Sequence, residues 1–467
     1  MAWSAGSNRF IEQFGGPSAR PRTVERNPRR NLLVAVLVAL VTMVLLGPAM
    51  TNGELTLSGE GSAVRQIAYL VIAGLLVYAV LPVASRASII ALPATVLAAL
   101  AWCWLSTLWA VNVEASIRRV FLTTLVVWMA FCAVRHAGYR LTADVVRACL
   151  AAAVLVSYLL VVLDPAVGVH LMRDAEMATA LAGNWRGFLD HKNFAGAVCA
   201  ICVLMFVFDA RHIRPALRVA VIAGAGYFLY RTGSKTSGGM VILAALAGVI
   251  FATVSTRLRA YLIPIICISG AVGGALASAY KDLLTRSFSD PASFTGRGQL
   301  WAVLLDYSRD NPMTGAGFGS FWNVGAASPV FSYAQGWPTR VTIGHSGYLD
   351  QLAAVGLPGL LLMVFALIVW PLWRLLSSKS VSREQGAMIS ALLIFCVGHN
   401  VTESGLFERD VIVSFFLCLA AAFAHYCTLG ERHLFSRWGT RTTEGAGSEL
   451  LRAVRRRQRA VARVQDL

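Results

Sequence analysis

Leu32-Leu-Val-Ala-Val-Leu-Val-Ala-Leu-Val-Thr-Met-Val-Leu-Leu-Gly-Pro-Ala-Met50 runs without a single charged residue. A bilayer hydrocarbon core about 30 Å thick takes about 20 apolar residues as one helix, so this stretch reads as a membrane span. It does not read as a cleaved signal peptide. Its polar leader of about 30 residues is too long for an n-region, and no small-x-small cleavage site stands out. The same reading, carried along the chain with a window of about 19 residues, gives about twelve spans. Their approximate cores are 32–50, 65–82, 88–109, 119–136, 145–163, 194–209, 216–231, 238–255, 260–279, 346–373, 386–400 and 410–428. Composition agrees: 57% of the 467 residues are hydrophobic and 14% charged, against about 45–50% and roughly 25% in a soluble domain. An ordinary cytosolic enzyme, a disordered chain and a small disulfide-stapled domain are excluded. The expected fold is an all-α polytopic membrane protein.

The charges orient it. Of 41 Lys and Arg residues, 27 fall on the side of the N-terminus if the spans alternate, against 9 of the 24 acidic residues. The basic excess therefore marks the inner side and places both termini there. The organisation expected is a basic N-tail over 1–31, spans over 32–279, a long outer loop over 280–345, further spans over 346–428 and a basic C-tail over 429–467. The run Arg452, Arg455, Arg456, Arg457 and Arg459 suits anionic lipid head groups. No aromatic platform accompanies it, which argues against nucleic acid. The nine cysteines all lie in apolar runs. Cys199 and Cys202 form a C-x-x-C without a companion His or second pair, and read as packing thiols rather than a metal site.

Four polar clusters collect on the outer side: Gly183–Gly196, Arg231–Ser237, the loop 280–345, and Gly398–Asp410. Each precedes a span. A helix N-terminus offers free N–H groups and the positive end of the dipole, a ready anion site. Each cluster adds a cation or potential cation: Lys192, Lys235, His345 and Arg409. Any one alone is an ordinary juxtamembrane anchor. Four on one face, with Gly, Asn and Ser interleaved, suggest a site for phosphate or diphosphate at head-group depth. Within the loop, Thr295-Gly-Arg-Gly-Gln-Leu-Trp opens an expected amphipathic helix with Leu300, Trp301, Leu304 and Leu305 on one stripe, suited to lie on a membrane surface. Asn311–Gly319 then turns sharply. There is no D-x-D, H-E-x-x-H, G-x-S-x-G or Walker motif and no clustered Cys/His set, so metal-dependent or ATP-driven work lacks support. Chemistry on that side draws its energy from an activated substrate, and a lipid diphosphate already carries a good anionic leaving group.

Arg186-Gly…His191-Lys-Asn…Gly196, Thr295-Gly-Arg297…Trp301, Asn311-Pro…Gly315-x-Gly317-x-Gly319 and His345-Ser-x-Tyr-Leu…Gly356-Leu-Pro-Gly together resemble the bacterial O-antigen ligase and polymerase superfamily. The resemblance covers roughly 183–360. It implies a twelve-span glycosyltransferase of the C-type class in the bacterial inner membrane, needing no metal or other cofactor and inverting the anomeric centre. Such ligases move O-antigen from undecaprenyl diphosphate to lipid A–core at the periplasmic face. Carried over by residue, Arg186 and Arg297 would bind the diphosphate and His345 would be the catalytic base. His191 and Lys192 belong to the first motif, and Lys235 sits where relatives often carry a basic residue. Asn193, Glu403 and Arg409 would support the site. Read without the resemblance, Arg186 and Arg297 would pair with Asp190 or Asp306, and His345 would be a helix cap. A polymerase or a protein O-oligosaccharyltransferase would use the same donor. A transporter is the alternative of another class, though the charges gather at span ends and the helix middles are clean Leu, Val and Ala. The sequence carries no sign of the oligomeric state.

Overall fold

The computed structural model describes residues 28–47, 62–81, 89–171, 181–262, 297–409 and 411–429. Among these residues the chain is helical, with isolated bridges and no strand. The main helices are α1 (Pro28–Leu46), α2 (Ala63–Val80), α3 (Ala94–Leu105), α4 (Val113–Leu163), α5 (Lys192–Val207), α6 (Pro215–Thr232) and α7 (Lys235–Thr253). After them come α8 (Arg297–Asp310), α9 (Gly347–Val364), α10 (Trp370–Ser377), α11 (Arg383–Thr402) and α12 (Ile412–Leu429). Seven described helical runs are long and apolar enough to cross a membrane: α1, α2, α4, α7, the continuous run Gly347–Ser377, α11 and α12. Ala94–Trp109 and Lys192–Val207 are shorter apolar helices. Helices are what such a sequence must form, because a dry core leaves no other partner for each backbone N–H and C=O. The tails, most of the expected span 260–279, and the loop up to 296, including Thr295, lie outside the described residues.

Two of the expected spans, 119–136 and 145–163, form one run of 51 residues. A straight helix of that length would reach about 75 Å, more than twice a hydrocarbon core. Gly138 breaks it, with φ 77° and ψ 163°, so α4 is two helices joined at a glycine. Gly356 breaks α9 in the same way, at φ 69°. Its amide neighbourhood receives the loop that follows α8: Leu357 N donates to Pro312 O at 2.8 Å and Ala316 N to Ala353 O at 2.9 Å. Trp102 Nε1 from α3 donates to Val355 O at 2.9 Å. The turn after α8 is thereby stitched to the middle of a span.

α11 and α12 are the most enclosed helices; α12 buries residues on every side, from Ile412 to Tyr426. Small residues let the neighbours close in, the usual device where lipid gives helices no hydrophobic drive to associate. A Cβ on Gly398 of α11 would sit 2.0 Å from Met240 of α7. The expected amphipathic stripe of α8 exists, but protein rather than open membrane surface covers it. Leu300, Trp301 and Leu304 are buried, and Leu304 packs in a cluster with Val303, Tyr307, Ala316, Phe321, Val330 and Ala353.

At the far end of α5 lies a second polar network. Arg147, almost wholly buried, donates to Met205 O at 2.8 Å, Asp209 O at 2.9 Å and Asp144 Oδ1 at 2.7 Å. Tyr139 donates to Asp209 Oδ2 at 2.7 Å. His212 bridges Asp144 and Arg140, at 2.9 Å each. This network pins the residues after Gly138 to the loop that ends α5.

Candidate functional site

The site is assembled from five helix ends, including the start of α8, where Arg297 is the first residue. α5 begins at His191, whose Nδ1 accepts from Asn193 N at 3.2 Å, while His170 Nε2 accepts from Lys192 N at 3.2 Å. Two imidazoles thus cap one helix start, their ring centroids 5.6 Å apart. α7 begins at Ser234, whose Oγ accepts from Ser237 N at 3.4 Å, and Lys235 is its first residue. α9 begins at Ser346, directly after His345. α11 ends at Glu403, in extended backbone with φ −140° and ψ 145°. The ends of α7 and α11 are sewn together by Thr236 and Thr402 hydroxyls at 2.9 Å and by Ser237 Oγ and His399 Nε2 at 3.3 Å.

Glu403 is the centre. Its Oε1 accepts from Arg297 Nη2 at 2.7 Å and from Asn193 Nδ2 at 2.6 Å. Its Oε2 lies 3.5 Å from His345 Nδ1. Arg297 Nη1 also donates to Thr402 O at 2.6 Å, so the guanidinium clasps the end of α11 with two groups. The Glu403 side chain is 10% exposed. Burial works against its charge, but the His345 hydrogen bond, Arg297, and the neighbouring His345 and His399 outweigh it. Its carboxyl is held below the usual range, as a carboxylate ringed by donors should be.

His345 is held in the left-handed region, at φ 52°. A non-glycine residue there costs on the order of 1 kcal/mol and needs surroundings that enforce it. Both flanks are tied. Gly344 N donates to Asp350 Oδ1 at 3.0 Å, and Gly347 N donates to Glu403 O at 3.1 Å. Asp350 is itself fixed by Trp322 Nε1 at 2.7 Å and by the Ser404 hydroxyl. Gly347 has no room for a side chain: a Cβ there would lie 2.3 Å from Asn400 Oδ1 and 2.9 Å from Leu406. The start of α9 is thereby pressed against the end of α11, and His345 is turned to face Glu403.

His191 and Lys192 share this end of the molecule. Burial is the main reason the His191 imidazole is pushed down to about 4; neighbouring His170, His345 and Lys192 act in the same sense, against Glu403. Lys235 is exposed, and Lys192 feels its charge. Two ammonium groups at the first positions of two helices leave a strongly positive rim beside the Glu403 cluster. Among the described residues, no group of three or more His, Cys, Asp or Glu is arranged to hold a metal ion.

Of the residues singled out in the sequence, Asn193, Arg297, His345 and Glu403 meet directly, and His191, Lys192 and Lys235 border them. Arg186 is held elsewhere: Nε donates to Val167 O at 2.9 Å and Nη2 to Ala166 O at 3.3 Å, at the turn Pro165–Gly168. Arg409 neighbours Arg119, which binds the loop carbonyls Trp322 O at 3.0 Å and Asn323 O at 2.9 Å. His170, Asp350 and Thr402 also take part, and none of them is marked by a sequence motif. Asp350 lies five residues after His345, and that spacing was its one visible signal.

Residues 219–364 match the family model described as O-Antigen ligase. This part of the chain, about a third of its length, is similar to that family. The matched segment contains Lys235, Arg297 and His345, while Asn193 and Glu403 reach the same centre from outside it. Comparison with curated proteins gives no match. Similarity to this family supports glycosyl transfer of the ligase or polymerase type in O-antigen assembly. The apolar helices above make this a multi-pass membrane protein.

Proposed function

We propose that the protein is an O-antigen ligase, transferring glycan from undecaprenyl diphosphate to a hydroxyl of lipid A–core at the periplasmic face of the inner membrane. The observation that carries this reading is the meeting of Arg297, Asn193 and His345 on Glu403, beside the cationic helix starts of Lys192 and Lys235, in a chain similar to the O-antigen ligase family over residues 219–364. The acceptor hydroxyl attacks the anomeric carbon from the face opposite the diphosphate. His345 takes the hydroxyl proton as the new C–O bond forms and the bond to the diphosphate oxygen breaks, which inverts the anomeric centre. The lipid diphosphate leaves as an anion. Lys192, Lys235 and the positive dipole ends of α5 and α7 meet that charge, as do the Arg297 donors not engaged with Glu403 and Thr402. Arginine suits the task because its fork offers five donors, of which the described residues engage two here. No metal is needed for this balance of charge. The proton on His345 returns to solvent before the next turnover.

The test is reconstitution. Purified protein in liposomes receives lipid-linked O-antigen and EDTA, with and without lipid A–core, and products are resolved on a gel. A glycan ladder on lipid A that requires the core is the expected result. Longer lipid-linked chains without the core would identify a polymerase instead. Glycan appearing inside the vesicles with no new covalent bond would make the protein a transporter.

A further inference from the structure

We propose that Glu403 is a positioning residue for His345: it fixes which imidazole nitrogen faces the acceptor. The inference rests on the ligase reading above, with His345 as base. Glu403 is poorly suited to act as acid, base or nucleophile itself. Its side chain is nearly buried, Oε1 is taken by Arg297 and Asn193, and Oε2 faces His345. What it can do is accept Nδ1–H from the ring. An imidazole that donates from Nδ1 presents Nε2 as a bare acceptor, the form a general base requires. Without that acceptor the proton can sit on either nitrogen. The ring also loses its restraint, since Ser346 makes no side-chain cap at the start of α9.

The carboxylate is well anchored for this task. Glu403 N donates to His399 O at 3.0 Å, and Glu403 O accepts from Gly347 N at 3.1 Å. The residue that orients the ring is therefore also bonded through its backbone to the segment carrying the ring. Arg297 and Asn193 hold the other oxygen at 2.7 and 2.6 Å, so rotation of the carboxylate away from His345 would break two charge-assisted bonds. Three segments far apart in sequence, at separations of 58, 106 and 210 residues, converge on it.

The experiment measures kcat and donor KM in the reconstituted ligation assay for wild type, Glu403→Gln, Glu403→Asp, His345→Ala and the double variant Glu403→Gln/His345→Ala. General-base catalysis contributes about 10²–10⁴-fold, and losing the orientation of the base forfeits part of it. Glu403→Gln is expected to lower kcat roughly 10- to 100-fold with donor KM within about twofold of wild type. Glu403→Asp keeps the charge but shortens the reach, and falls between Gln and wild type. In the His345→Ala background, Glu403→Gln costs less than about twofold, because the base it orients is gone. A residue that only supports the fold would cost the same in both backgrounds, and that result overturns the proposal. So does wild-type kcat in Glu403→Gln, or a rise in donor KM with kcat unchanged. Should Glu403→Gln not fold, Glu403→Asp decides: lowered kcat at constant KM is expected, and wild-type kcat refutes it. A silent wild type fails the ligase reading itself; an active wild type matched by the variants fails this inference alone.

Discussion

α5 carries a polar network at each end, and the two networks are built differently. At one end Arg147 gives its donors to Met205 O, Asp209 O and Asp144, with Tyr139 closing on Asp209. Cation, carboxylate and carbonyls all satisfy one another across a break in α4. At the other end Glu403 is satisfied, but two lysines at helix starts have no such enclosure, and His345 is bent into a left-handed backbone to face the carboxylate. The first network completes a fold. Left-handed backbone is common to both, at Asp209 in the first and His345 in the second; what distinguishes the second is positive charge on helix starts that no carboxylate encloses, a feature that belongs to binding sites.

This contrast is broken most sharply by removing one side chain from each end. His345→Ala should lower transfer by about 10²- to 10⁴-fold, the span of general-base catalysis, with unchanged thermal unfolding in detergent. Substantial residual transfer would take His345 out of the mechanism. Arg147→Ala should do the reverse. Breaking a buried ion pair costs roughly 3–5 kcal/mol, and here Asp144, more than a third exposed, keeps the loss toward the low end. A lower unfolding midpoint, with near-normal turnover per folded molecule, is expected. If Arg147→Ala instead abolishes turnover in well-folded protein, the two ends are not separate in function.

The lysines sharpen the distinction further. A charge-assisted hydrogen bond contributes about 1.5–3 kcal/mol, so Lys192→Ala or Lys235→Ala should raise donor KM on the order of tenfold. Each lysine repels the other in the empty site, so the double variant should lose less than the product of the singles. Strict multiplicativity would place the two ammonium groups on different ligands.

The fold was legible because a dry environment leaves few choices. Leu32–Met50 could only be a helix, and α1 occupies Pro28–Leu46. The join of two spans at Gly138 was not legible, because hydropathy reads length and polarity, not the φ of one glycine. In the site, His345 and Arg297 were visible through local motifs resembling a known family. Glu403 was visible only as a possible support, since its three partners come from segments that no spacing rule connects. Arg186 shows the converse limit. Its motif marks a cation near a helix start, but the carbonyls of Val167 and Ala166, about 20 residues upstream, hold its guanidinium. Sequence spacing identifies which groups a segment offers; it does not identify which carbonyls a distant segment brings to them.

The smallest effect separates the ends by pH. In the folded chain the His191 imidazole is pushed down to about 4, mainly by burial, from an ordinary value of 6.5. Between those values the unfolded chain holds more protons, so stability is full above pH 6.5 and declines as pH falls toward 4. The depression corresponds to roughly 3 kcal/mol at the acid end of that window. Glu403 acts lower down: its carboxyl lies below an ordinary value of 4.5, so its contribution is lost only as pH drops beneath that value. The α5 cap therefore contributes part of the slope between pH 6.5 and 4.5, alongside the other buried histidines. His191→Asn retains an N-cap acceptor while removing the titrating ring. Its unfolding midpoint should vary less with pH across this window than that of wild type, whereas an equal slope in both proteins would show that other groups set the acid sensitivity.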